Sequence, residues 1–147
     1  MKLIRIGVDP GTHTGIAAWI PSKRILVMCE SDGIIGAQQT ILEFKAQKNV
    51  EIEIWIEDAR KAGRGGKYAS AKAQKNANSK AQGAGSVKRD SAIWEEFCKY
   101  HQIRYSKLAP NRRITKLNKD QFALRTRWQG RTNEHGRDAG MLVYGTQ

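Results

Sequence analysis

The stretch MKLIRIGVDPGTHTGIAAW, Met1 to Trp19, decides the fold. Leu3, Ile4, Ile6 and Val8 are apolar residues interrupted only by Arg5 and Gly7, the density of a largely buried strand. That strand ends on Asp9. Pro10 withholds a backbone donor, while Gly11 and Gly15 allow positive φ or close backbone approach, so the chain can turn at once into Ile16, Ala17, Ala18 and Trp19. The pattern predicts a hairpin with a carboxylate at its mouth. Taken alone, Asp-Pro-Gly is turn chemistry, and a functional role for Asp9 requires partners from elsewhere.

Working outward, Pro21 and Ser22 predict a short turn and Arg24 to Glu30 a third strand, antiparallel to the second. Gly33 and Gly36 break the pattern. Ala37 to Lys48 carries Ile41, Leu42 and Phe44 at helical spacing, and Asn49 closes that helix. Glu51 to Ile56 alternates acidic and apolar residues as a half-buried strand does, delivering Glu57 and Asp58 at its end.

From Ala59 to Arg89 the chain is basic and glycine-broken, without one acidic residue. A solvated, mobile insert is expected there, with a transient helix around Ser70 to Gln82. Asp90 or Ser91 can cap a helix running through His101, on which Ile93, Trp94, Phe97 and Tyr100 recur at helical spacing. Trp94 and Phe97 read as core, not as a base-stacking platform. Ile103 to Leu108 predicts a short strand stopped by Pro110, and Asn111 to Lys119 is basic again. Leu117, Gln121, Leu124 and Trp128 follow a helical period ended by Gly130. Asn133 or Glu134 starts a last helix, His135 to Tyr144, with Ala139, Leu142 and Val143 facing inward.

The resulting order, β-β-β-α-β-α-β-α with an extra helical turn or two before the last helix, predicts a single α/β domain over residues 1–147. Its core would be a mixed five-stranded sheet with helices on both faces.

With 26 Lys and Arg against 14 Asp and Glu, the formal net charge of +12 calls for a polyanionic partner, nucleic acid first and an anionic membrane second. The cationic side chains most suited to DNA are Arg60, Lys61, Arg64, Lys67, Lys72 and Lys75 in the insert and Arg112, Arg113, Lys116 and Lys119 in the second basic run, with Tyr68 the nearest aromatic residue after Glu57. No apolar run approaches the roughly 20 residues of a membrane span, and Met1 to Val8 lacks a signal-peptide layout, so a soluble, cytoplasmic protein is expected. Cys29 and Cys98 are isolated, which argues against a disulfide framework or a zinc site.

Each acid of interest lies at or near the end of an element: Asp9 ends the first strand, Glu57 the fourth, and Asp138 is near the start of the final helix, one turn from His135 on the same face. If the first and fourth strands are neighbours, their ends lie about 5 Å apart. Such oxygen ligands with one imidazole suit Mg²⁺ or Mn²⁺, and paired ions could serve an in-line displacement at phosphorus. Clustered acids in a basic protein need a cation, because otherwise they repel one another and the phosphate alike.

These segments resemble those of a known family. VDPGTHTG is similar to the D-P-G-x-x-x-G first strand of RuvC-type Holliday junction resolvases, IEDAR to their glutamate-bearing fourth strand, and EHGRDAGML to their closing H-x-x-D-A motif. NKDQF resembles the K-x-Q-apolar motif that precedes the last helix, which places Lys119 on a phosphate-contacting lysine. The resemblance implies an RNase H-like, retroviral-integrase-type fold, and Mg²⁺-dependent endonuclease activity with Asp9, Glu57, His135 and Asp138 as metal ligands, His135 alternatively acting as a base. It also implies a homodimer nicking opposed strands of a four-way DNA junction. The long insert in a short chain is similar to the phage-borne branch.

Three alternatives compete: a YqgF-like RNA-processing nuclease, a non-catalytic nucleic-acid-binding module of the same fold, and an actin-like ATPase. The last requires a nucleotide cofactor and a second lobe for which 147 residues leave no room.

Overall fold

Alternation along the first strand sorts the two sides of the core. The computed structural model describes residues 1–61, 71–110 and 116–147, with backbone alone at 60, 71–84 and 87. Strand β1 (Lys2–Asp9) pairs antiparallel with β2 (Thr14–Ile20), which pairs antiparallel with β3 (Ile25–Asp32). On its other side β1 pairs parallel with β4 (Val50–Glu57), and β4 parallel with β5 (Arg104–Leu108). The result is one five-stranded mixed sheet in the order β3-β2-β1-β4-β5.

Even-numbered residues of β1, β2 and β4 point to one face, where Ile4, Ile6, Val8, Ile16, Ile54 and Ile56 pack against Ala37 and Ile41 of α1 (Ile34–Ala46) and Trp94, Phe97 and Cys98 of α2 (Ala71–Tyr100). Each such aliphatic side chain withdrawn from water stabilises the fold by about 1.5–3 kcal/mol. On the opposite face Ala17 and Trp19 meet Ala139, Leu142 and Val143 of α4 (Glu134–Val143). Phe122 of α3 (Lys119–Thr126) packs outside α4 with Cys29 and Met141. The coarse architecture therefore agrees with the sequence, including the burial of Trp94 and Phe97; both cysteines are free and buried. Among the described residues no helix is long and apolar enough to cross a membrane.

Glycines set how closely α4 lies on the sheet. A Cβ at Gly7 would collide with the carbonyl oxygen of Ala139, and one at Gly15 with that of His135. Gly15 thus serves helix docking as well as the hairpin, and Gly7, which reads in the sequence as an interruption, is the second seat of the helix.

Several predicted boundaries differ. Asp90 and Ser91 do not cap a helix; they lie inside α2 and are 3% and 0% exposed. Ser91 has tertiary work instead, its Oγ donating to the Glu57 carbonyl at 3.3 Å, while Asp90 Oδ1 lies 3.8 Å from the neighbouring Arg89 guanidinium. Residues 71–89, expected as a mobile segment with a transient helix at most, continue the same helix, consistent with a run rich in Ala, Lys and Gln. Tyr100, predicted on the apolar stripe of that helix, is 80% exposed.

Helix α3 ends at Arg127, which takes a left-handed conformation with φ of 60°, and not at Gly130. Its buried residue is Phe122, while Leu124 of the predicted stripe is exposed, because two residues along a helix turn a side chain about 200° away from the packed face. Its start is a capping box: Asn118 accepts from the Gln121 backbone at 2.8 Å and Gln121 accepts from the Asn118 backbone at 3.0 Å.

Candidate active site

The parallel pairing of β1 with β4 sets Val8 beside Ile56, so the two strands finish together and present Asp9 and Glu57 on the α4 face. Helix α4 begins above them. Asn133 caps it by accepting from Gly136 N at 2.9 Å and also donates to Ser31 Oγ of β3, which ties the helix start to the sheet. Seated on Gly15, the first turn of α4 brings His135 Nδ1 to 3.6 Å from Asp9 Oδ2. Asp138 follows one turn later, its side chain 7% exposed.

Asp9 feels the charge of Asp138, and Glu57 feels the charges of both. Burial, reinforced by the charge of Asp138, pushes Asp9 up to about 7. Burial, then the charges of Asp9 and Asp138, does the same to Glu57, also to about 7. Asp138 is raised by burial although the Lys116 ammonium draws it back. Lys116 Nζ lies 3.1 Å from Asp138 Oδ2 and 3.4 Å from Glu134 Oε1. The adjoining Leu117 carbonyl accepts from Arg137 Nε at 2.9 Å, which pins this segment across α4.

This donor set fits a hard divalent cation. Among the described residues, three carboxylates with one imidazole at their edge are partly neutralised by the Lys116 ammonium alone, and a divalent cation would supply the remaining positive charge. Asp9, Glu57 and Asp138 are the residues able to hold it, with His135 as a fourth donor. Among the described residues no three such side chains already stand close enough to enclose one ion.

The remaining predicted residues divide. Lys116 joins the carboxylates, whereas Lys119 opens α3 as an exposed residue. Lys61 is exposed beyond β4 and donates to the Lys107 carbonyl at 3.1 Å. Arg60, Lys72 and Lys75 have helical backbone, but their side chains lie outside the description. Arg64, Lys67, Tyr68, Arg112 and Arg113 lie outside the described residues altogether. Asp58 is 1% exposed and its backbone N–H donates to the Leu108 carbonyl at 2.7 Å, so its carboxylate is withdrawn from solvent, unlike that of Glu57.

One residue at the site escaped the sequence reading. His13, on the exposed hairpin turn, stacks on His135 with ring centroids 6.0 Å apart and planes 25° apart. Its signal was an imidazole four residues beyond Asp9, and only the docking of α4 gave that position meaning.

Compared with known proteins, the chain matches no family model and no curated protein.

Proposed function

We propose that the chain is a metal-dependent endonuclease acting on branched DNA, the four-way junction above all, and that its sheet is an RNase H-like one. The observation that carries the reading is the meeting of Asp9, Glu57 and Asp138, from two strand ends and a helix, at one edge of a protein with net charge +12. A module that only binds polyanions gains nothing from buried, mutually repelling carboxylates, which cost stability unless a cation joins them. The strand order β3-β2-β1-β4-β5 supports the fold assignment, and the four motifs of the sequence support the RuvC-type comparison.

Asp9, Glu57 and Asp138 would hold Mg²⁺, with Mn²⁺ as a substitute and two ions per site the number expected for an in-line displacement at phosphorus. When bound, the metal neutralises phosphate oxygens and makes water nucleophilic. His135, beside Asp9 and partly open to solvent, is placed to take the proton of the attacking water or to complete the ligand set. Lys116, leaning on Asp138, offers its ammonium to a phosphate approaching from the same side. Paired nicks across a junction require two such sites, hence two copies of the chain.

The test is Mg²⁺-dependent cleavage of a synthetic four-way junction, with linear duplex and structured RNA as comparisons. Symmetric nicking by the wild type and binding without cleavage by Asp9→Asn are expected. Undiminished cleavage by Asp9→Asn would sink the assignment, and preferential cutting of RNA would move it to an RNA-processing nuclease.

A further inference from the structure

Between the β2–β3 turn and the end of α3 lies a cleft of about 640 Å³ whose walls include Lys23, Arg24, Arg125, Arg127, Trp128 and Tyr144. No carboxylate lines it, and among the described residues none of its four cations makes an ion pair. Arg24 and Arg127 hold left-handed conformations, φ 53° and 60°, where Gly or Asn would sit at lower cost. The aromatic residues have their polar atoms engaged elsewhere: Trp128 Nε1 donates to the Arg131 carbonyl at 3.3 Å and the Tyr144 hydroxyl to the Arg125 carbonyl at 2.7 Å. What the cleft offers a ligand is ring surface, flanked by the aliphatic side chains of Ile25, Leu26 and Leu124 and bordered by cations. An apolar guest has no use for four positive charges, and a bare phosphate has none for an indole wall. A nucleotide within a strand uses both, its base on the ring and its phosphates on the cations.

The cleft is separate from the carboxylate site. Gly15, opposite Asp9, and Ile20, at the cleft end of the same strand, are five residues apart, about 17 Å at strand spacing.

We propose that this cleft is a second nucleic-acid contact, which holds an unpaired nucleotide with its base against Trp128 and its phosphates on Lys23, Arg24, Arg125 and Arg127. The inference takes its ligand class from the function proposed above but is independent of cleavage. The experiment is fluorescence anisotropy of a labelled oligothymidylate of about ten nucleotides, in EDTA, over a series of salt concentrations. Lys23→Ala/Arg125→Ala should bind about tenfold more weakly and lower the slope of log affinity against log salt by about 1.4, at roughly 0.7 for each lost phosphate contact on a single strand. Trp128→Ala should lose affinity and Trp128→Phe regain it, while an abasic strand binds the wild type more weakly.

Unchanged affinity and slope in the double variant, or equal affinity for the abasic strand, would overturn the proposal. Displacement by polyglutamate as readily as by unlabelled oligothymidylate would overturn it in favour of an acidic polypeptide. Because no metal is present, a chain that proves unable to cleave can still pass this test, and a chain that cleaves can still fail it.

Discussion

Gly15 of β2 lies directly beneath the carbonyl oxygen of His135, with no space for a methyl group between strand and helix. The helix that carries His135 and Asp138 reaches Asp9 only because that position lacks a side chain. Gly15→Ala should therefore lift the start of α4, destabilise the protein by about 1–3 kcal/mol as overpacking does, and reduce cleavage far more than DNA binding. Urea unfolding and junction cleavage on the same preparation check this. Wild-type stability in the variant would show that the helix docks elsewhere.

Gly85 offers the opposite sign. It lies within α2, exposed, with open space where a Cβ would stand. Gly85→Ala should raise stability by about 0.5–1 kcal/mol, the helix-propensity difference. A loss would mean that α2 does not continue through this residue.

The carboxylates predict a pH dependence of stability. Asp9 and Glu57 sit at about 7 in the folded chain, above their ordinary values. The folded state then binds protons more tightly than the unfolded one, so their contribution is full below about pH 4 and is lost as pH rises through about 7. Thermal melts should show a higher Tm at pH 5 than at pH 8, a smaller difference in Asp9→Asn, and a rise on adding Mg²⁺ at pH 8 in the wild type alone. The same pH slope in both proteins would count against the coupling.

Lys116 is half out of water, and its contacts with Asp138 and Glu134 should add at most about 1 kcal/mol to stability. Its effect should appear in function. In Lys116→Met the carboxylates lose their internal cation, so calorimetry should find tighter Mg²⁺ binding while cleavage slows. Weaker Mg²⁺ binding would mean that Lys116 positions Asp138 more than it competes for it.

Glu57 and Asp58 should separate cleanly. Glu57→Gln should abolish cleavage and leave the fold intact. Asp58→Asn, at a carboxylate 1% exposed, should cost about 1–3 kcal/mol of stability and leave cleavage measurable. Denaturation and cleavage of the two variants in parallel decide between the neighbouring acids.

Much of this was legible in the chain itself, because it is local. The period-two run through Ile4, Ile6 and Val8, the Asp-Pro-Gly turn, the alternating Glu51 to Ile56 and the helical spacing of Trp94 and Phe97 each specify an element through neighbours in sequence. They place Asp9 and Glu57 at strand ends with no knowledge of packing, and the His135-to-Asp138 spacing puts those two side chains on one face of the last helix. The remainder depended on contacts between residues far apart in the chain. Gly7 and Gly15 meet carbonyls more than a hundred residues away. The ammonium that reaches Asp138 belongs to Lys116, because the segment before α3 folds back over α4. The basic cleft joins residues 23–26, 124–128 and 144, three segments that no window of sequence brings together. Side-chain periodicity records which face of an element is apolar, and only the docking of those faces decides which charges become neighbours.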